Sequence, residues 1–97
     1  MTFRAWPTKD PEGEYRFYFD WTDFCEGEGS DVASYVLAVD DAPDSSLVIS
    51  DDARSGNTIE LWLSGGTLGQ TYYVRCRVTL ADGTIEDETR SLEIEQH

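Results

Sequence analysis

A chain of 97 residues is long enough for one domain and too short for a second hydrophobic core. Hydrophobic residues make up 39% of it, with three Trp, five Tyr and four Phe, which indicates a folded protein and not a disordered one. The formal net charge of −13 disfavours binding to nucleic acid phosphates or anionic lipid, because that binding needs clustered Lys and Arg. We therefore expect no nucleic acid partner and no membrane partner. The sequence shows no signal-peptide layout and no apolar run near the ~20 residues of a membrane span, which predicts a protein made or assembled in the cytoplasm.

Residues 1–13 are predicted to form an extended leader, which contains TFRAWPTKDP at positions 2–11. Its prolines favour extended backbone with amides that face water. Two interpretations of its aromatic residues stay open. Phe3 and Trp6 fold back over the domain, or they reach a neighbouring subunit with Trp6 as the anchor and Pro7 lowering the ordering cost. Lys9, the only lysine, is expected in water, where it supports no Schiff-base chemistry.

From Glu14 onward the hydrophobic period is two, which predicts a domain of β-strands over residues 14–97 without a helix. The glycines of CEGEGSD, residues 25–31, predict a loop there. The segment that begins at Val32 is apolar on both faces, which favours a strand in the middle of a sheet or beneath a partner. Strands are predicted at EYRFYFDW (14–21), VASYVLAVDD (32–41), LVIS (47–50), TIELWLS (58–64), TYYVRCRVTL (71–80) and around Leu92 and Ile94, with turns between them that include DDARSGN (51–57).

The clearest alternation runs from Thr71 to Leu80 and predicts a half-buried antiparallel strand. Its buried face is expected to carry Tyr72, Val74, Cys76, Val78 and Leu80. Tyr72 follows a Gly-rich turn and suits a tyrosine corner, although Tyr73 competes for this role.

The turn after this strand has a predictable length. A two-residue Asp82-Gly83 loop would turn Leu92 to solvent. A three-residue loop of Ala81, Asp82 and Gly83, with Gly83 in the left-handed conformation, keeps Leu92 on the buried face. That register pairs Leu80 with Thr84 and Tyr72 with Leu92, and it sets Arg77 opposite Asp87.

Six or seven short strands predict an all-β, antiparallel two-sheet sandwich of immunoglobulin-like or fibronectin type III-like topology. A small, partly open barrel is the alternative. Cys25 and Cys76 are expected to be free thiols, because no Trp follows Cys25 at the distance seen beside immunoglobulin bridges.

The sequence offers no catalytic arrangement. His97 is the only histidine and is terminal, so no Cys/His or Ser/His/Asp set can be built. The acidic turns at residues 40–44 and 51–52 lack EF-hand spacing and are typical of solvated aspartates. We therefore predict a protein that is not an enzyme and that holds no cofactor and no metal.

Three segments are informative when they are taken together: FRAWPTKDP (3–11), FDW (19–21) and WLSGGTLGQTY (62–72), of which WPTKDP and WLSGGT are the most specific parts. They resemble small structural proteins of tailed phages and prophages, the fiber-tail adaptors. The resemblance covers nearly the whole chain. It implies an immunoglobulin-like virion protein, assembled in the host cytoplasm, that joins tail, connector or fiber subunits without catalysis.

On this interpretation the residues expected to bind partners are Phe3, Trp6, Pro7 and Trp62, whereas Tyr72, Val74, Cys76 and Gly83 are expected to support the fold. The isolated chain is expected to be a monomer or weak dimer and to join a cyclic assembly in the virion, because its charge opposes self-association.

Two other functions stay open from the residues alone. An autonomous binding module would present Trp62, Tyr73 and Tyr18 to a carbohydrate or protein ligand, since sandwich folds serve many roles. An acidic mimic of DNA rests on the net charge alone.

Overall fold

The computed structural model describes residues 4–40 and 42–96, so Phe3, Asp41 and His97 lie outside the described residues. In chain order the elements are β1 (Arg4–Ala5), β2 (Glu14–Asp20), α1 (Thr22–Glu28), β3 (Val32–Asp40), β4 (Val48–Ser55), β5 (Thr58–Ser64), β6 (Thr71–Leu80) and β7 (Ile85–Glu93). The first sheet has the order β1-β7-β6-β3 and the second sheet the order β2-β5-β4. All of these pairs are antiparallel except β1 with β7. The predicted all-β, two-sheet sandwich is confirmed.

The strand order is consistent with an immunoglobulin-like topology. If β2 to β7 are taken as strands B to G, the two sheets contain B-E-D and C-F-G, as in constant-type immunoglobulin domains. The first strand differs, because it lies beside the last strand and not beside B.

The core lies between the two sheets and follows the alternation of the strands. In β5, Ile59, Leu61 and Leu63 are fully buried while the residues between them are half-buried. In β6 and β7 the fully or almost fully buried side chains are Tyr72, Val74, Cys76, Val78, Leu80 and Leu92. Each strand thus turns one apolar face inward, which is the arrangement that stabilises a sandwich.

The predicted turn between β6 and β7 is confirmed. Tyr72 lies opposite Leu92 and Arg77 opposite Asp87. The Leu80 amide donates to the Thr84 carbonyl oxygen at 2.8 Å, and Gly83 has a φ of +93°. A residue without Cβ adopts this left-handed conformation at little cost.

The prediction of a chain without a helix is wrong, because α1 occupies much of the segment predicted as a loop. Trp21, Phe24 and Cys25 have the i, i+3, i+4 spacing that places side chains on one helix face. Cys25 is buried, and the Trp21 and Phe24 rings meet edge to face at 5.7 Å. This burial outweighs the low helix propensity of Gly27, and the helix ends at Gly29, which has a φ of +68°.

The strand after Val32 does not lie in the middle of a sheet, because β3 is an edge strand and, among the described strands, it pairs only with β6. Val32 at its start is buried, whereas its other apolar residues are half-buried or exposed, and Val36 is 62% exposed. Apolar residues on both faces of β3 therefore indicate packing on the core, but they do not indicate a paired strand at each of its edges.

The predicted turn at DDARSGN is shorter than expected. β4 continues to Ser55 through a register shift between Ser50 and Ala53, and Asp51 has a φ of +49°. The two aspartates are thus accommodated in a β-bulge, where an extra residue is tolerated within a strand. The tight turn is confined to the Gly56 region, where φ is +60°.

The expectation of unpaired amides in the leader is wrong. Regular structure begins before Glu14, since Arg4 and Ala5 pair in parallel with β7. The Trp6 amide donates to the Ser91 carbonyl oxygen at 2.9 Å, and the Lys9 amide donates to the Glu93 carbonyl oxygen at 3.0 Å. The leader covers the outer edge of β7, which would otherwise leave its own backbone groups unpaired.

Candidate functional site

The outer face of the second sheet carries an exposed group of large side chains. In the β2–β5 register, Arg16 lies opposite Trp62 and Tyr18 lies opposite Glu60. Because Phe17 and its inward neighbours are buried, alternation turns these four residues to the outer face. We call Arg16, Tyr18, Glu60 and Trp62 the Arg16 cluster.

The guanidinium of Arg16 is the centre of this cluster. Its Cζ atom lies 5.4 Å from the ring centroid of Tyr18 and 5.6 Å from that of Trp62. Its Nη1 lies 3.5 Å from Oε1 of Glu60. Cation–π contacts and an ion pair therefore hold Arg16 over a surface where Tyr18 is 44% exposed.

Trp6 packs on its own domain. Its ring stacks on Phe17 with the centroids 4.5 Å apart and an interplanar angle of 26°, and it meets Phe19 edge to face at 5.1 Å. This geometry matches the interpretation in which Trp6 folds back over the domain. Pro7, the next residue, is exposed.

Lys9 is fully buried, so the expectation of a solvated lysine is wrong. Its Nζ donates to the carbonyl oxygens of Gly65 at 2.7 Å and Asp10 at 2.8 Å, and it lies 5.6 Å from the ring centroid of Tyr15. Burial lowers the pKa of Lys9, and the Asp10 carboxylate partly opposes that change. Sequence reasoning missed this site, because the Gly65 carbonyl is 56 positions away.

The Lys9–Gly65 contact joins the two most specific motifs, WPTKDP and WLSGGT. Gly65 has a φ of +77°, and a Cβ there would lie 2.1 Å from the carbonyl oxygen of Ser46. Only glycine fits this position without displacing backbone. The two motifs therefore have a structural role, since they fasten the leader to the turn after β5.

Tyr72 forms a tyrosine corner at the start of β6. Its hydroxyl accepts a hydrogen bond from the Thr67 amide at 2.9 Å and donates one to Oδ1 of Asp44 at 2.7 Å. Donors from Ser46, Thr67 and Tyr72 hold the pKa of Asp44 well below its usual range. Tyr73 is half-buried and alternation turns it to the opposite face, so Tyr72 makes the corner.

The two cysteines are buried free thiols. Cys76 is fully buried beside Val74 on the inner face of β6, and burial raises the pKa of its thiol to about 11. Burial also raises the pKa of Cys25. A thiol in this state is a poor nucleophile, because the thiolate is the reactive form.

Arg90 is another residue that the alternation alone did not reveal. It lies on the inner face of β7 opposite Val74, with its side chain 12% exposed. Its guanidinium lies 5.6 Å from the ring centroid of Phe19 and pairs with Glu88. A partly buried cation is tolerated there because it has both an aromatic and an acidic neighbour.

Within residues 4–40 and 42–96, no three His, Cys, Asp or Glu side chains are grouped so that they could hold a metal ion. The same ranges contain no helix with the length and apolar character needed to cross a membrane.

The fold is that of a small β-sandwich protein, and the Arg16 cluster is a candidate contact surface on its second sheet. The chain belongs to the podophage fiber-tail adaptor family, since the family model described as "Podophage GP4 fiber-tail adaptor protein gp77" matches residues 9–93. A comparison with curated proteins found no match. The family assignment confirms the resemblance seen in the sequence and places the chain among the structural components of phage virions.

Proposed function

We propose that this chain is a non-enzymatic adaptor that joins tail and fiber components of the virion, and that the outer face of the second sheet is one of its contact surfaces. The observation that carries the proposal is the Arg16 cluster on that face, together with membership of the adaptor family.

The composition of the Arg16 cluster suits a protein partner. Trp, Tyr and Arg are the residue types most enriched where truncation weakens a protein interface. Arg16 is already ordered by three neighbours, so binding would cost less side-chain entropy than it does for a free arginine. The ring of Tyr18 then offers an amphipathic surface beside an oriented charge.

The leader contributes to the same proposal in a different way. Trp6 anchors the leader on Phe17, and this packing fixes the position of Pro7 at the surface. A proline held in place adds contact area with little loss of conformational freedom on binding. Phe3 is assigned to the same contact from the sequence.

The isolated chain is expected to be a monomer or weak dimer and to enter a cyclic assembly only among other virion proteins, within the host cytoplasm. The net charge of −13 supports this state, because it opposes contact between copies. Light scattering on the purified chain at moderate salt is the measurement. A stable large ring of the chain alone would contradict the expectation.

The test of the proposed surface uses purified particles assembled with variant genes, in which the amount of this chain is measured by quantitative mass spectrometry. Trp62→Ala and Tyr18→Ala are expected to lower the amount per particle by about tenfold or more, as for residues central to an interface. Ser50→Ala, which lies opposite Trp62 on β4, is the matched control and should leave it within about twofold.

Thermal melts of the purified variants show whether each one is folded, since Trp62 is half-buried and Tyr18 is more exposed. Absence of the wild-type chain from purified particles would overturn the adaptor role itself. Wild-type incorporation of folded Trp62→Ala and Tyr18→Ala would overturn the assigned surface.

A further inference from the structure

The edge of the first sheet at β3 is unpaired over a long, regular stretch. Register with β6 runs without a break from Ser34 to Asp40, after an irregularity at Val32. At the first residue of β3, the outer edge is covered by the side chain of Arg54, whose Nη1 donates to the Val32 carbonyl oxygen at 3.0 Å. Beyond it, no strand of the described chain pairs with the outer side of β3.

The register identifies which backbone groups face outward. The Leu80 amide donates toward β7, so alternate residues of β6 bond toward β7 and those between them bond toward β3. Arg77 and Arg75 bond toward β3, and their partners there are Val36 and Ala38. The amide and carbonyl groups of Tyr35, Leu37 and Val39 therefore point away from the sheet.

The other edges are protected by features that β3 lacks between Ser34 and Val39. β4 carries the bulge at Asp51 and Asp52, β2 carries three charged residues, and β1 is two residues long. Charges, bulges and short strands are the devices that prevent edge pairing. Between Ser34 and Val39 there is no charge and no proline, and the side chain of Val36 is 62% exposed.

Charge indicates what kind of strand fits. Asp52 lies at the end of the Tyr35 side chain of β3, whose hydroxyl donates to its Oδ2 at 2.6 Å, and Asp51 precedes it in the bulge. Arg75 is paired with Asp40 at 3.3 Å, and Arg54, held by the carbonyl oxygens of Val32 and Gly56, is the one further cation here. Asp51 and Asp52 together outweigh it, so a strand that carries Lys or Arg would meet a net negative charge.

We propose that the β3 edge from Ser34 to Asp40 accepts an extended, basic strand of another virion protein, which pairs with the outward backbone groups of Tyr35, Leu37 and Val39. This inference rests on the proposed adaptor function and gives it a second surface, separate from the outer face of the second sheet. Main-chain pairing of this kind supplies affinity, while alternate side chains supply specificity.

A second copy of the chain is the competing occupant. Pairing two β3 edges would bring Asp51 and Asp52 of both copies to one interface between molecules of net charge −13. Like charges at an interface oppose association, so a basic partner fits this edge better.

The first test removes one outward amide. Leu37→Pro abolishes the Leu37 donor, and an edge strand tolerates proline on its free side. Leu37→Ala is the matched control, because it loses the same side-chain packing and keeps the amide. In purified particles we expect Leu37→Pro to lower the amount of the chain by about tenfold or more relative to Leu37→Ala. Equal incorporation of the two variants would overturn the proposal.

The second test changes charge at an exposed position and does not depend on Leu37→Pro folding. Val36→Lys should reduce incorporation by about tenfold, whereas Val36→Glu should keep it within about twofold, because the incoming strand is basic. An equal loss of incorporation in both variants would overturn the proposal that the incoming strand is basic. Light scattering that shows a wild-type dimer dispersed by Val36→Lys would overturn it in favour of a second copy.

The outcomes separate the two proposals. Absence of the wild-type chain from particles contradicts the adaptor function, whereas wild-type incorporation together with normal incorporation of Leu37→Pro and Val36→Lys contradicts the β3 edge alone. Amide hydrogen exchange gives a direct readout. The backbone amides in peptides that contain Leu37 and Val39 should exchange at least about tenfold more slowly in particles than in the free chain. An unchanged exchange rate would contradict strand addition.

Discussion

Replacing Tyr72 by Phe removes one hydroxyl from the corner that joins β6 to two loops. The change leaves the Thr67 amide without its acceptor and Asp44 with one donor fewer. Loss of hydrogen bonds of this kind costs about 1–2 kcal/mol when water partly replaces the partner. For a domain of this size, about 4–8 °C is lost per kcal/mol, so the Tm should fall by about 5–15 °C.

Tyr72→Ala extends the same test to the ring. The side chain is fully buried, and truncation of a buried aromatic costs about 3–5 kcal/mol. Since domains have a total stability of about 5–15 kcal/mol, this variant should be close to unfolding at 37 °C. Tyr18→Phe is the control, because its hydroxyl lies on an exposed residue and its loss should change stability by about 0.5 kcal/mol or less.

Thermal melts and urea titrations of the three variants decide the matter. Equal shifts for Tyr72→Phe and Tyr18→Phe would refute the contribution of the hydroxyl network. A shift of only a degree or two for Tyr72→Ala would refute the placement of its ring in the core.

The remaining predictions concern the acidic loop, the leader and the β6–β7 turn. Because the pKa of Asp44 is lowered in the folded chain, its carboxylate takes up a proton more readily in the unfolded chain, so the wild type should lose stability as the pH falls below about 4. In urea titrations, Asp44→Asn should make this loss of stability less steep. An equally steep decline in the variant would contradict the prediction. Trp6→Ala should cost about 1–3 kcal/mol by loss of the Phe17 stacking, whereas an unchanged urea midpoint would show that the leader is not held by this ring. Gly83→Ala should cost about 1 kcal/mol through backbone strain alone, since no atom lies within 4 Å of a Cβ built there. An unchanged Tm would contradict the left-handed conformation. Asp87→Asn should cost at most about 1 kcal/mol, because its pair with Arg77 is solvent-exposed, and a larger loss in urea would contradict a surface pair.

The β6–β7 pairing could be predicted from sequence because one face of each strand is buried. A shift by one residue would turn Leu92 outward and Ser91 inward, so the alternation permits few registers. The same argument gave the three-residue turn at Gly83, which the structure confirms.

The helix α1 and the position of β3 were not predictable by the same argument. α1 has only seven residues, and its glycines are stronger local signals than the spacing of Trp21, Phe24 and Cys25. A strand that is apolar on both faces, such as β3, shows the same pattern in the middle of a sheet and at an edge that packs on the core. Edge and centre are decided by tertiary pairing, which periodicity does not encode.

The candidate surface was predictable only in part. Trp62 stood out as an exposed aromatic, but its contact with Arg16 requires two strands that are 46 positions apart at these residues to be in register. The burial of Lys9 depends in the same way on a distant carbonyl oxygen, that of Gly65. Contacts between distant segments of the chain decide such sites.

The burial of Lys9 has a practical consequence for chemical labelling. The chain has one lysine, and its Nζ is enclosed by two carbonyl oxygens and the ring of Tyr15. An amine is acylated in its neutral, accessible form, so Lys9 should be protected in the folded chain and should react once the chain unfolds. The extent of Lys9 acylation, measured by peptide mass spectrometry, then reports how often the leader detaches from the turn after β5. Because the only lysine is buried, crosslinks to neighbouring virion proteins are better sought through the abundant carboxylates.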